Sequence, residues 1–199
     1  LFDLMGVAWV EAPMEAEGAA AVMCSRGDVA AVASQDWDTL LYGSPVMVRN
    51  LTSHGTRRFG RVMSAERIVL SETLESNGIT REQLVDLGIM VGTDFHPGIK
   101  GIGPKTGLKL MKKHGTMEAV AEAKGFELPE NLEGIRSLFM EHPAGNQALP
   151  EPKRAVEEDL RSFLQEERGF SERRLERALS RLAEAGRLKS SSQPSLFDF

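Results

Sequence analysis

The run Gly98-Ile99-Lys100-Gly101-Ile102-Gly103-Pro104-Lys105-Thr106-Gly107 constrains this chain more than any other. Glycines at 98, 101 and 103 allow a sharp turn and the close approach of another chain. Pro104 suits the first position of a helix, where a missing N–H costs nothing. The free N–H groups of that helix start, with the helix dipole, make a phosphate site. Lys105, Lys109, Lys112 and Lys113 extend positive charge along the same helix. This is the pattern of a helix–hairpin–helix, suited to binding nucleic-acid backbone without reading sequence. Gly101, Gly103, Lys105 and Lys109 are the expected contacts. A Gly-Pro helix start with a solvated lysine face would share the pattern. The spacing fits neither a dinucleotide fingerprint nor a Walker loop.

The formal net charge of −5 is uneven. Residues 1–94 hold 7 Lys/Arg against 13 Asp/Glu, whereas residues 95–116 hold five lysines and no acid. An acidic zone followed by a basic one suits a protein that holds divalent metal in one place and phosphate in the next.

Short apolar runs alternate with helical patterns in the acidic zone. Gly6–Val10, Val29–Ala33 and Val46–Leu51 read as short buried strands and residues 14–25 as a helix, which predicts an α/β unit with a largely parallel sheet. Residues 56–62 read as a hairpin arm against the third strand. From Ser64 onward the pattern is helix and loop, with Ser64 as an N-cap. Thr80 and Gln83 form a capping-box pattern, and charged amphipathic helices follow near 155–168 and 171–185. The expected divisions are 1–92, 93–125, 126–189 and a flexible tail, 190–199. The opening Leu1–Gly6 reads as a helix end without a signal leader, so the chain is expected to begin inside a fold. No apolar run is long enough to span a bilayer, and lone Cys24 reads as packed and allows no internal disulfide.

Three acidic clusters stand out: Glu15 with Glu17, Asp36 with Asp38, and Asp94. The first two follow expected strands, where ligands of α/β sheets gather. Hard oxygen ligands on short loops suit Mg²⁺, and two such ions can promote phosphodiester hydrolysis. Taken singly, acids early in a helix also serve the dipole or the N-cap, so spacing alone does not carry the metal assignment. His54, His96, His114 and His142 show no zinc-ligand spacing.

The segments themselves say more. Glu11-Ala-Pro-Met-Glu-Ala-Glu-Gly-Ala19 resembles the APSEAEA segment of flap endonucleases, and Ala33-Ser-Gln-Asp-Trp-Asp-Thr-Leu-Leu-Tyr-Gly43 resembles their SQDYDSLLFG. Val91-Gly-Thr-Asp-Phe95 through Lys105 resembles GTDYNPGVKGIGPK. The resemblance, closest to archaeal and eukaryotic members of this XPG-type 5′ nuclease family, implies a partial parallel-sheet nuclease core of the PIN-like kind, then the helix–hairpin–helix and C-terminal helices. It implies cleavage of 5′ flaps, with 5′-3′ exonuclease activity, in DNA replication and repair. It assigns Glu15, Glu17, Asp36, Asp38 and Asp94 to two Mg²⁺ ions, replaceable by Mn²⁺, with Glu15, Asp36 and Asp38 catalytic. It also implies a K⁺ ion at the hairpin and, as partner, DNA with 5′ flaps or nicks. Met14 and Trp37, which replace commoner residues, read as packing changes.

The tail, Gln193-Pro-Ser-Leu-Phe-Asp-Phe199, resembles a sliding-clamp (PCNA) binding motif through Gln193, Leu196 and Phe199, with one aromatic missing. A cytoplasmic or nuclear location is implied, and no membrane. The family's N-terminal part, with two further aspartates, an arginine, a lysine and a helical arch, has no match here. This chain is therefore expected to be inactive and prone to aggregate by itself, and a non-catalytic DNA- and clamp-binding role is the alternative.

Overall fold

The computed structural model describes residues 1–186 and 188, apart from 54, 59, 145 and 146. The proposed clamp residues Gln193, Leu196 and Phe199 lie outside this range, as does His54. The described chain forms two compact units, Ala12–Ala148 and a second that joins Leu1–Glu11 to the described residues from Leu149 onward.

The larger unit is α/β. Helix α1 spans Ala16–Arg26 and leads through a left-handed Gly27 to strand β1, Val32–Ala33. One turn of helix, α2 (Asp38–Leu41), precedes β2, Val46–Arg49. β1 runs parallel to β2, and β2 pairs on its other side with antiparallel β5, Glu66–Val69. The sheet is thus mixed and three-stranded. Residues 66–69, expected in a helix capped by Ser64, are in this strand because Ile68 and Val69 lie opposite Met47 and Val46. Cross-strand packing of such side chains outweighs local helix propensity. Residues 57–58 and 61–62 form their own short hairpin, β3–β4, rather than pairing with β2.

Helix α3 (Leu70–Asn77) follows, then α4 (Arg81–Val91). The capping box read from Thr80 and Gln83 is formed: the Thr80 hydroxyl accepts from Gln83 N–H and the Gln83 amide oxygen accepts from Thr80 N–H, at 3.3 and 3.0 Å. The Gln83 amide nitrogen also donates to the Gly115 carbonyl at 2.9 Å. Pro104 opens helix α5, Pro104–His114, as expected, and α6 (Met117–Lys124) and α7 (Leu132–Met140) complete the unit. Phe139, Ile89, Met90 and Met111 are fully buried between these helices.

In the smaller unit α8 (Glu157–Arg161) runs into a π-helical segment, Ser162–Glu167, and α9 spans Glu172–Glu184. Leu160, Leu164, Leu175 and Leu179 form its core, against which Leu4 and Met5 pack. Residues 6–10, expected as a buried strand, form none. Gly6 takes a left-handed conformation (φ +64) and its carbonyl accepts from Lys153 N–H at 3.0 Å, while Trp9 is 48% exposed. No helix among the described residues is long and apolar enough to cross a membrane.

Candidate metal centre and nucleic-acid interface

Two helix starts and one turn present the acids. Glu15 is the N-cap of α1, and Glu17 lies in its first turn. Glu15 has extended backbone (ψ 130°), which frees the pair from the divergent directions of i and i+2 inside a helix. Asp38 begins α2, and its N–H donates to Asp36 Oδ1 at 3.0 Å. Ser34 couples the clusters. Its hydroxyl donates to Glu17 Oε1 at 3.3 Å and accepts from the Asp36 N–H at 3.0 Å. Asp94 sits in a turn closed by paired backbone hydrogen bonds between Thr93 and His96.

The electrostatics bring the five together. Burial, and then the charges of Asp36, Asp94, Glu17 and Glu15, push the Asp38 carboxyl from its ordinary value up to about 6. The largest contributions at Asp38 all raise its pKa. No three His, Cys, Asp or Glu side chains among the described residues close on one point as a finished metal shell. The set is an acidic basin whose hard oxygen donors fit a divalent cation that keeps most of its water.

Asp36, Asp38 and Asp94 border an open cleft of about 750 Å³, walled by Leu84, Leu87 and Val91. Trp37, also on its rim, is 51% exposed. The packing reading of Trp37 is corrected: the Arg49 guanidinium lies 4.1 Å from its ring centre. Met14 is exposed as well.

Beneath the basin lie two polar groups that sequence reasoning did not single out. Tyr42 and His142 are buried, with ring centres 5.4 Å apart in an edge-on contact at 85°. The Tyr42 hydroxyl and His142 Nε2 have no hydrogen-bond partner, a cost of about 1–3 kcal/mol per buried polar group. Burial, and next the Glu15 charge, push the Tyr42 hydroxyl pKa up. Burial lowers that of His142. Tyr42 and Ser34 lie within the acidic motif and could have been found there; His142, in a loop about a hundred residues away, gave no local signal.

The hairpin is built from close backbone packing. Gly98 has φ +85, and a Cβ there would fall 2.5 Å from the Val91 carbonyl oxygen. Only glycine allows that approach. Ile99 N–H donates to the Met90 carbonyl at 2.7 Å, which ties the turn to α4. Gly101 (φ +87) lies in open space. Gly103 is the N-cap of α5, and no side chain caps that helix. Lys105 and Lys109 are exposed, and no acid pairs with them among the described residues.

The XPG I-region family model matches residues 6–94. Flap endonuclease 1 of Methanothrix thermoacetophila is 46% identical over 188 residues, 92% of this chain and 55% of its own length. That of Ignicoccus hospitalis is 40% identical over 208 residues, covering all of this chain and 58% of its own. Among solved structures, flap endonuclease-1 from Methanococcus jannaschii superposes with a TM-score of 0.78 at 36% identity, over 92% of this chain and 55% of that one. The catalytic core of Rad2 in complex with DNA substrate shares the fold, with a TM-score of 0.76 at 18% identity, over 91% of this chain and 66% of that one. The chain spans little more than half the length of the curated relatives it matches. With its acids, its hairpin and these likenesses taken together, the chain is similar to archaeal flap endonuclease 1 over nearly all of its own length, and residues 6–94 match the XPG I-region.

Proposed function

We propose that this chain is the metal- and DNA-holding part of a structure-specific 5′ flap endonuclease with 5′-3′ exonuclease activity. The convergence of Glu15, Glu17, Asp36 and Asp94 on Asp38 carries the reading. Glu15, Asp36 and Asp38 would hold the catalytic Mg²⁺, with Glu17 and Asp94 completing a two-ion set that Mn²⁺ could fill. Bound there, the metal would supply charge stabilisation for phosphodiester hydrolysis. Ser34 holds Glu17 and the Asp36 loop in register. The uncapped start of α5, with Gly101, Gly103, Lys105 and Lys109, would hold the phosphates of the duplex strand. Backbone carbonyls of the turn are suited to a K⁺ ion shared with a phosphate. Gln193, Leu196 and Phe199 would dock in a sliding clamp.

A second reading is a DNA- and clamp-binding role without catalysis, favoured by the uncapped start of α5 with its exposed lysines, which can hold phosphate without a metal. Flap cleavage with Mg²⁺ separates the two. Cleavage by this chain that Asp38→Asn abolishes supports the nuclease; duplex binding without cleavage supports the binding role.

A further inference from the structure

Three of the five acids, Glu15, Asp38 and Asp94, make no side-chain hydrogen bond among the described residues, and of these Glu15 carries the charge felt most at both Tyr42 and His142. Glu17 is held by Ser34, and Asp36 by the Asp38 backbone. The Glu15 side chain makes no capping bond to α1 and no other hydrogen bond among the described residues, and it is exposed. The metal site described so far does not explain what fixes it.

The two unpartnered groups beneath it are of matching chemistry. His142 Nδ1 accepts from the Ala144 N–H at 3.3 Å, so the neutral ring carries its proton on Nε2. Nε2–H is then a buried donor without an acceptor, and the Tyr42 hydroxyl is another. Two adjacent donors are served by one carboxylate, which accepts through both oxygens.

Their placement points to Glu15. The His142 ring lies against Gly18, where a Cβ would fall 2.4 Å from Cδ2 and 2.6 Å from Nε2. Glu15 is the N-cap of α1 and Gly18 its third helical position, toward which an N-cap side chain is directed. The missing side chain at 18 leaves the ring edge open toward the N-cap. Tyr42 follows Asp38 by four residues, and its N–H donates to the Asp38 carbonyl at 2.9 Å. Tyr42 is thus the residue that ends α2, and the His142 ring lies against α1, with the two rings in contact.

We propose that Tyr42 and His142 are positioning residues: the Glu15 carboxylate, turned inward past Gly18, accepts hydrogen bonds from the Tyr42 hydroxyl and the His142 Nε2–H. The pair fixes Glu15 and couples the start of α1 to the end of α2. The inference rests on Glu15 being part of the metal-binding set, and it adds two residues to the support of that set. Partners that orient a metal ligand act on affinity through the ligand.

Tyr42 is the only tyrosine in the chain, so a ¹³Cζ-tyrosine label in the full chain reports on its hydroxyl alone. Without metal, Glu15→Gln moves the Tyr42 resonance, while Glu17→Gln leaves it in place. A resonance unmoved by Glu15→Gln, or moved equally by Glu17→Gln, overturns the assignment. With Mn²⁺ alone as probe, Tyr42→Phe binds about tenfold more weakly than the parent chain at equal or higher Tm. Unchanged Mn²⁺ affinity also overturns it. If the parent chain binds no Mn²⁺, the metal reading fails by itself and the metal-free resonance decides the hydrogen bonds.

Discussion

Arg136 grips both carboxylate oxygens of Asp86, Nε to Oδ1 at 2.7 Å and Nη2 to Oδ2 at 2.8 Å. The contact joins α7 to α4, the first leg of the hairpin. Asp86 is buried, and its Oδ2 also accepts from the Met117 N–H at 3.2 Å. Arg136 reaches Glu118 and Glu133 as well, and these bonds raise its pKa beyond the ordinary arginine value, with Glu118 and then Asp86 the largest contributors.

Removing one partner of a buried pair leaves the other charge unpaired. Arg136→Leu is therefore expected to destabilise the chain by about 3 kcal/mol, measured by urea unfolding. A loss no larger than that of Glu133→Gln, which removes only one of the two exposed arms, would show that the buried arm contributes little.

Asp38 has a signed pH dependence. Its carboxyl is easier to protonate in the fold (about 6) than at its ordinary value of 3.8. The folded state is thus penalised above pH 6, progressively less between 6 and 4, and not below. Asp38→Asn should raise Tm in metal-free buffer at pH 7.5, and the gain should fade as pH falls through that window. The full displacement corresponds to about 3 kcal/mol, which solvent screening of a half-buried group reduces to about 1 kcal/mol. A gain that does not change with pH would rule out this cause.

The two positive-φ glycines of the hairpin should differ. Gly101→Ala meets open space and costs only the left-handed backbone, about 1 kcal/mol. Gly98→Ala adds the collision with the Val91 carbonyl and should cost about 3 kcal/mol. Equal losses in thermal unfolding would place the constraint elsewhere.

Lys105→Ala with Lys109→Ala should weaken duplex binding and lower the slope of log affinity against log salt by about 2. Fluorescence anisotropy across a salt series measures both. An unchanged slope removes these lysines from the phosphate contact.

What was legible in the sequence was what is local. Thr80 with Gln83, and Pro104 after Gly103, act within four residues, so their chemistry can be read without the rest of the chain. Ile68 and Val69 were missed as strand because their partners, Met47 and Val46, lie more than twenty residues back. Gly6–Val10 has strand-like composition, but the left-handed Gly6 binds Lys153 instead of a neighbouring strand. In the candidate site, the acids sit in recognisable segments, whereas His142 reaches them only through tertiary packing against Gly18.

The Gln83 amide uses both its ends, one at the start of α4 and the other at the carbonyl of Gly115, just past the end of α5. The two legs of the hairpin are thereby riveted at the end away from the glycine turn. Each leg is about 16 Å long, with the amide closing the far end and the Ile99–Met90 backbone bond closing the turn, so the start of α5 is carried on a frame fastened at both ends, and loss of the Gln83 amide would open only one of them.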